Sequence, residues 1–128
     1  MAPSKQCLKS DRLAPAVGPY SQAVRYGDLL FCSGMIPVDP ETRQVVAGGI
    51  APQARQVLDN LTRLLEDCGS SPSQVVKTTV FLQDMEHFAA FNAIYAEYFA
   101  QEPPARSTVQ VARLPLDVLI EVEAIASV

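Results

Sequence analysis

The last quarter of the chain restricts its fold more than any other part. It opens on a double proline, Pro103-Pro104, runs through Ala105-Arg106-Ser107-Thr108-Val109-Gln110-Val111, and continues after Leu114-Pro115 as Leu119-Ile120-Glu121-Val122-Glu123-Ala124-Ile125-Ala126. Both runs are strand-like, with little between them. Strand side chains alternate between faces, so Glu121 and Glu123 point one way while Ile120, Val122 and Ala124 point the other. An apolar strand thus carries two carboxylates on one face, with Arg106 fixed at the start of a strand beside it.

The rest of the chain supplies the layers around this pair. Residues 1–19 read as an arm and turn, because Pro3, Pro15 and Pro19 block a helix and Gly18-Pro19 punctuates. Ser21 to Tyr26 and Leu29 to Ser33, joined by Gly27-Asp28, predict a β-hairpin. A proline-rich excursion follows from Met35, and Gln44 to Val46 reads as a short edge strand. Beyond Gly48-Gly49, the residues Ile50, Ala54, Val57, Leu58, Leu61, Leu64, Leu65 and Cys68 recur at three and four positions. Gln56, Asp59, Asn60, Arg63 and Asp67 fall opposite them. This spacing predicts an amphipathic helix, with Pro52 in its first turn and Gly69 at its end. Gln74 to Gln83 reads as a strand, with Val76, Thr78, Val80 and Leu82 on one face and Val75, Lys77, Thr79 and Phe81 on the other. Asp84 then caps a second helix whose stripe, Phe88, Phe91, Tyr95, Tyr98 and Phe99, reads as core.

The resulting order, β-β-(β)-α-β-α-β-β, predicts one α/β (α+β) domain over residues 1–128, with both helices on one face of a sheet. Parity leaves Lys77, Thr79, Phe81, Leu119, Glu121, Glu123 and Ile125 on the other face. That face is too apolar to stand in water and too polar for a sealed core. A second copy of the chain resolves the conflict, with the polar groups lining a cleft between subunits.

Composition narrows the function classes. The chain has 128 residues, 48% of them hydrophobic and 19% charged, which suffices for a buried core and opposes disorder. A net charge of −4 opposes a phosphate-binding surface, so a nucleic-acid partner is not expected. No run of about 18 apolar residues is present to span a membrane. Met1 to Cys7 lacks the apolar core of a signal peptide, and no arginine-rich leader is visible; a cytoplasmic location is expected, with the mitochondrial matrix left open. Cys7, Cys32 and Cys68 are scattered and read as reduced, largely buried thiols. With His87 the one histidine, no zinc-ligand set can be drawn, and neither metal nor cofactor is expected. Ser33 has no His-Asp relay to activate it, and no glycine-rich phosphate loop occurs.

What remains is a small set of polar groups. Arg106 can hold a carboxylate bidentately and so select small organic acids, or it can form an ion pair with Glu121 or Glu123. The two glutamates are either a solvated or ion-paired strand face or, if one is desolvated without a partner, a general base. Tyr20 can wall a pocket or pack at a sheet edge. Asn92 interrupts the apolar stripe and can bond a loop, and His87 falls in a first helical turn, where exposure is usual. Taken together they suit binding of a small acid in a subunit cleft, with water chemistry as an extension.

Several blocks, in order, carry a family resemblance: Ala-Pro-Ala-Val-Gly-Pro-Tyr-Ser-Gln-Ala (14–23), Ser33-Gly34 with Ile36-Pro37, Gln53 to Gln56 with Leu58-Asp59-Asn60, and Val76 to Phe81. Pro104 to Ser107, Val111 to Pro115 and Ile120 to Ala126 complete them. Over nearly its whole length the chain resembles the reactive intermediate imine deaminase family (RidA/YjgF). The resemblance implies a chorismate-mutase-like fold assembled as a homotrimer with three inter-subunit clefts. It also implies hydrolysis of 2-imino or enamine acids, such as 2-iminobutyrate and 2-iminopropionate, to 2-oxo acids and ammonia. In that pattern Arg106 clamps the substrate carboxylate and Glu121 orients or deprotonates the attacking water. Tyr20 walls the pocket, Ser33 and Gly34 line it, and Asn92 lies near it. An iminium carbon is already electrophilic, so positioning and one activated water suffice without a covalent nucleophile.

Two positions depart from the family pattern. Thr108 stands where many members have cysteine two residues after the arginine, and Met35 stands where many have glutamine after Ser-Gly. Thr108 therefore alters pocket polarity, and Met35 alters the loop beside the cleft. Two other classes compete with the deaminase: an endoribonuclease that inhibits translation, as some members are described, and a ligand-binding or chaperone-like protein without turnover.

Overall fold

A computed structural model describes residues 4–128; Pro3, read as part of the N-terminal arm, lies outside the described residues. Six strands form one sheet: β1 (Gln6–Leu8), β2 (Ala23–Tyr26), β3 (Leu29–Met35), β4 (Val75–Leu82), β5 (Ala105–Gln110) and β6 (Ile120–Ser127). Their spatial order is β1-β2-β3-β6-β4-β5. Two helices, α1 (Ile50–Asp67) and α2 (Phe88–Tyr98), make the connections β3-α1-β4 and β4-α2-β5. Strand β4 pairs with β5 in parallel, whereas β6 runs antiparallel to both β3 and β4 and separates them. Each parallel step needs a crossover, and a helix supplies it. Both helices lie on the same face.

This is the α+β architecture expected from the sequence, with four differences in detail. The two final strands are not neighbours, because β4 is inserted between β5 and β6, so the apparent adjacency of Arg106 to the glutamates does not hold. The N-terminal arm contributes β1 to the sheet, pairing Cys7 with Val24. The expected strand at Gln44 to Val46 reduces to one bridge, Val38 to Val45. Finally, β4 bulges between Val75 and Lys77, so Val75 is buried and Val76 faces solvent. One inserted residue exchanges faces upstream of it, and alternation counted along the sequence cannot see that.

The core is the layer between the helices and the sheet. Val57, Leu58, Leu61, Leu64 and Leu65 of α1 meet Leu30, Val80, Leu82, Ile120 and Val122 of the sheet, all essentially inaccessible. The end of α1 is set by Gly69 at φ 87, and the Ser70 amide donates to the Leu65 carbonyl, the six-residue closure that a left-handed glycine permits. Helix α2 docks on α1 through a two-pronged Arg55–Glu97 pair and a 2.6 Å bond from the Tyr98 hydroxyl to Asp59. Asp84 caps the short 3-10 turn Met85–His87 that leads into α2, its carboxylate accepting from the Glu86 amide at 2.9 Å.

Two polar residues of α1 are buried. Asn60, which spacing assigns to the exposed side, donates to the carbonyls of Ile36 and Val38 at 3.1 and 2.9 Å. Gln53 accepts from the Leu119 amide at 2.8 Å. They fasten the 36–46 excursion and the entry to β6 onto the helix, satisfying backbone groups that no strand partner reaches. Of the cysteines, Cys32 and Cys68 are buried and Cys7 is exposed. Burial pushes the Cys32 thiol up to about 12, so it stays protonated. No helix among the described residues is long and apolar enough to cross a membrane.

Candidate active site

The candidate residues divide between the two faces of the sheet. Register fixes the division: Arg106 on β5 aligns with Thr78 on β4 and through it with Ala124 on β6. Thr78 and Ala124 are buried beneath the helices, so Arg106 faces the helix layer. Glu121 aligns with Phe81 and Glu123 with Thr79, on the opposite, open face. Within one protomer the arginine and the carboxylates are therefore held apart by β4.

On the open face the geometry centres on Gly34. Strand β3 is irregular between Cys32 and Met35: Cys32 faces Ala124 and Met35 faces Val122, so Ser33 and Gly34 together oppose Glu123. The bulge lays the Gly34 backbone against the Glu121 carboxylate. A Cβ at position 34 would lie 2.8 Å from the Glu121 carboxyl carbon and closer still to Oε2, so only glycine leaves room for the side chain as it stands. Glu121 is half-buried. Burial raises its pKa above the ordinary carboxylate value, and the neighbouring Glu123 charge raises it further. Among the described residues neither glutamate has an ion-pair partner. A hollow of about 340 Å³ opens over them, walled by Gly34, Phe81, Val111, Arg113, Leu114 and Pro115. The Arg113 guanidinium is already paired with Asp117 at 2.8 Å.

A second hollow, of about 280 Å³, shares Gly34 and holds Tyr20. Tyr20 is exposed, on a segment that is firmly tied. The Ser33 hydroxyl donates to the Ser21 carbonyl at 2.6 Å, and the Ser33 amide donates to the Gln22 carbonyl at 2.9 Å. Gln22, itself buried, accepts from the Ser10 amide and donates to the Ala14 carbonyl. Ser10 is in turn bonded to Asp67 of α1 at 2.5 Å. Ser33 thus anchors the Tyr20 segment beside Gly34.

On the helix face, the Arg106 guanidinium carbon lies 4.7, 5.3 and 5.6 Å from the ring centroids of Tyr95, Phe91 and Phe88. The aromatic stripe of α2 is core, as its spacing suggests, and it also cradles a cation. The Tyr95 hydroxyl is fixed by a 2.7 Å hydrogen bond with the buried Thr78 hydroxyl. Among the described residues no carboxylate lies within ion-pair distance of Arg106, so the alternative of a structural pair with Glu121 or Glu123 does not hold. Thr108, two residues further along β5, points the same way, and its hydroxyl is buried without a partner among the described residues. His87, expected to be exposed, is half-buried with an equally unpartnered Nδ1. Asn92 is half-buried on α2, one turn after Phe88.

The structure therefore sorts the candidate residues into two groups. Glu121, Gly34, Ser33 and Tyr20 form one, and Arg106, Thr108 and Asn92 lie on the other face. Sequence reasoning placed Phe81 on the face of the glutamates, as observed, but missed the cradle function of Phe88, Phe91 and Tyr95 and the Val111–Pro115 segment that walls the glutamates. The Val111–Pro115 block matched the family pattern but carried no assigned role.

The family model described as Endoribonuclease L-PSP matches residues 11–128. A RutC family protein of Pyrococcus horikoshii is 50% identical over 122 residues, covering 95% of this chain and 97% of that protein. The chloroplastic Reactive Intermediate Deaminase A of Arabidopsis thaliana is 44% identical over 96% of this chain and 66% of its own length. Among solved structures, E. coli TdcF with bound serine superposes with a TM-score of 0.90 at 40% identity, covering 96% of this chain and 98% of that one.

Proposed function

Because the chain belongs to the Endoribonuclease L-PSP family, that of the RutC and RidA/YjgF proteins, we propose that it hydrolyses reactive 2-imino acids to 2-oxo acids and ammonia, in clefts completed by a second copy of itself. The observation that carries this reading is the Arg106 guanidinium: half-buried, stacked on three rings and without a carboxylate of its own. Three rings around the guanidinium hold it in place, which suits a cation that takes a carboxylate in two parallel hydrogen bonds. A cation so prepared needs an acid from outside the protomer, and the substrate is one.

The carboxylates stand on the other face of the sheet, so the two half-sites meet when one protomer's open face packs against a neighbour. A homotrimer with three such clefts follows the family pattern. In it, Arg106 with Thr108 and Asn92 from one protomer would face Glu121, Gly34, Ser33 and Tyr20 of the next. The substrate iminium carbon then lies between the carboxylate clamp and Glu121. Glu121, its proton affinity raised by burial and by Glu123, takes a proton from water as the oxygen attacks that carbon. The carbinolamine collapses when the same proton reaches the nitrogen, so that iminium and water become a 2-oxo acid and ammonium. Tyr20 walls the pocket. The net charge of −4 gives less support to RNA cleavage.

The test generates 2-iminobutyrate from threonine with a dehydratase and traps free imine with semicarbazide. Wild-type protein should suppress semicarbazone formation, and Arg106→Ala should restore it. Suppression that survives Arg106→Ala would remove the clamp and with it this reading.

A further inference from the structure

We propose that Asp117 is a positioning residue of the site: it holds the Arg113 guanidinium away from Glu121 and Glu123, leaving Glu121 an unpaired carboxylate that can take a proton from water. This rests on the reading of Glu121 as the base.

Arg113 stands where a free guanidinium would disturb that base. It lies in the wall of the hollow over the glutamates, and of the side chains lining that hollow it is the one cation. Glu121 and Glu123 are the two anions there, and neither has an ion-pair partner among the described residues. A guanidinium matches a carboxylate fork to fork, so a released Arg113 would pair with one of them. A carboxylate so paired is held ionised with its lone pairs occupied, which makes it a poor proton acceptor. Asp117 takes the fork instead: the Arg113 Nε donates to its Oδ1 at 2.8 Å and a terminal nitrogen donates to its Oδ2 at 3.3 Å. The two arginines of the site are thus treated in opposite ways. Arg106 has no carboxylate of its own, and Arg113 is given one.

The backbone gives an independent sign. Arg113 and Asp117 are four residues apart, but no α-helix brings them together. Two successive left-handed residues do so, Leu116 at φ 55 and ψ 20 and Asp117 at φ 55. Leucine is rare in that region, and strain of this kind persists where the surrounding structure holds it for a use. Burial of the leucine is not that use, since Leu116 is 70% exposed. The turn is pinned at its ends by the buried Leu114 and Val118, and the Asp117 amide donates to the Leu114 carbonyl at 3.1 Å. What it delivers between them is the Asp117 carboxylate.

The other neighbours of Glu121 do not duplicate this control. Its own strand adds Glu123. On β4, Phe81 and Thr79 stand opposite the two glutamates without charge, and Lys77 lies further along, its Nζ bonded to the Ser107 hydroxyl of β5 at 3.2 Å. Val109 of β5 aligns with Phe81, and β3 presents Ser33 and Gly34. In the proposed cleft the next copy adds Arg106, which the substrate's own carboxylate occupies.

The experiment titrates the glutamates by NMR of isotope-labelled side-chain carboxyl carbons, with Glu121→Gln to assign the signal. Wild type is compared with Asp117→Asn and with the double variant that adds Arg113→Gln. Asparagine tolerates a left-handed backbone, so Asp117→Asn keeps the turn while losing the charge. At low ionic strength the Glu121 titration should move about one unit to lower pH in Asp117→Asn and return in the double variant. In about 1 M salt most of that displacement should vanish. In the semicarbazide assay the acidic limb of kcat/KM should move with it, and kcat should fall about threefold. A Glu121 titration unmoved in Asp117→Asn, or one that stays displaced once Arg113 is gone, overturns the proposal. A titration that moves while the limb stays fixed removes Glu121 as the base and overturns the proposal with it. If no form hydrolyses an imine, the deaminase reading falls, and the titration alone upholds or overturns the hold of Asp117 on Arg113.

Discussion

Arg106 and Glu121 project from opposite faces of one sheet, with β4 between their strands. No side-chain rotation within a protomer joins them, because the sheet itself stands between. Any chemistry that uses both must therefore draw them from different copies of the chain.

Gly34→Ala should separate catalysis from folding. The added methyl meets the far end of the Glu121 side chain, which can swing away at little cost to the fold. Displacing a catalytic carboxylate by about 1 Å costs on the order of 10²-fold in rate. Thermal unfolding should stay within a few degrees of wild type while kcat falls about a hundredfold. A variant that unfolds outright, or one of full activity, would show that Gly34 is not there to admit Glu121.

The two glutamates are distinguishable by pH. The Glu123 charge raises the pKa of Glu121, so removing it should lower that pKa. Glu123→Gln should therefore shift the acidic limb of kcat/KM to lower pH and keep most of the activity, whereas Glu121→Gln should lose about 10²–10⁴-fold. The opposite pattern would make Glu123 the base.

The same carboxylate has a stability signature. Its folded-state pKa lies above the ordinary value of 4.5, so ionising it opposes folding as pH rises above that value. Glu121→Gln should melt higher than wild type at pH 7, and the difference should close as pH falls below 4.5. A variant less stable than wild type at neutral pH would mean that the charge is compensated.

Thr78 and Tyr95 hold the nearest ring of the arginine cradle through one buried hydrogen bond of 2.7 Å. Thr78→Val or Tyr95→Phe alone strands the other hydroxyl, at a cost of about 1–3 kcal/mol by denaturant unfolding. The double variant should cost less than the sum of the two. Strict additivity would show that the bond does not couple them.

Much of this was legible in the sequence, for reasons specific to each element. The period of α1 from Val57 to Leu65, the Gly69 stop and the alternation of Ile120 to Ala126 are local signals, and the structure repeats them. The pairing of β6 with β4 rather than β5 is not local, since two strands close in sequence are parted by one that comes earlier in the chain. The bulges at Val75–Lys77 and Cys32–Met35 insert residues that alternation cannot register, and the second sets Gly34 against Glu121. The burial of Asn60 answers unpaired carbonyls at Ile36 and Val38, which exist only once the excursion has folded back. The cradle was hidden because an aromatic stripe serves a core and a cation equally well.

Complementation between two inactive variants tests the shared site most directly. Differently tagged Arg106→Ala and Glu121→Gln chains are co-expressed, and assemblies carrying both tags are isolated. Each variant alone should be near background. If each cleft of a trimer takes Arg106 from one copy and Glu121 from the next, every assembly carrying both tags has one cleft in three with both groups intact, and imine hydrolysis should return to about a third of wild type. Mixed assemblies that stay at background would contradict a site built across subunits.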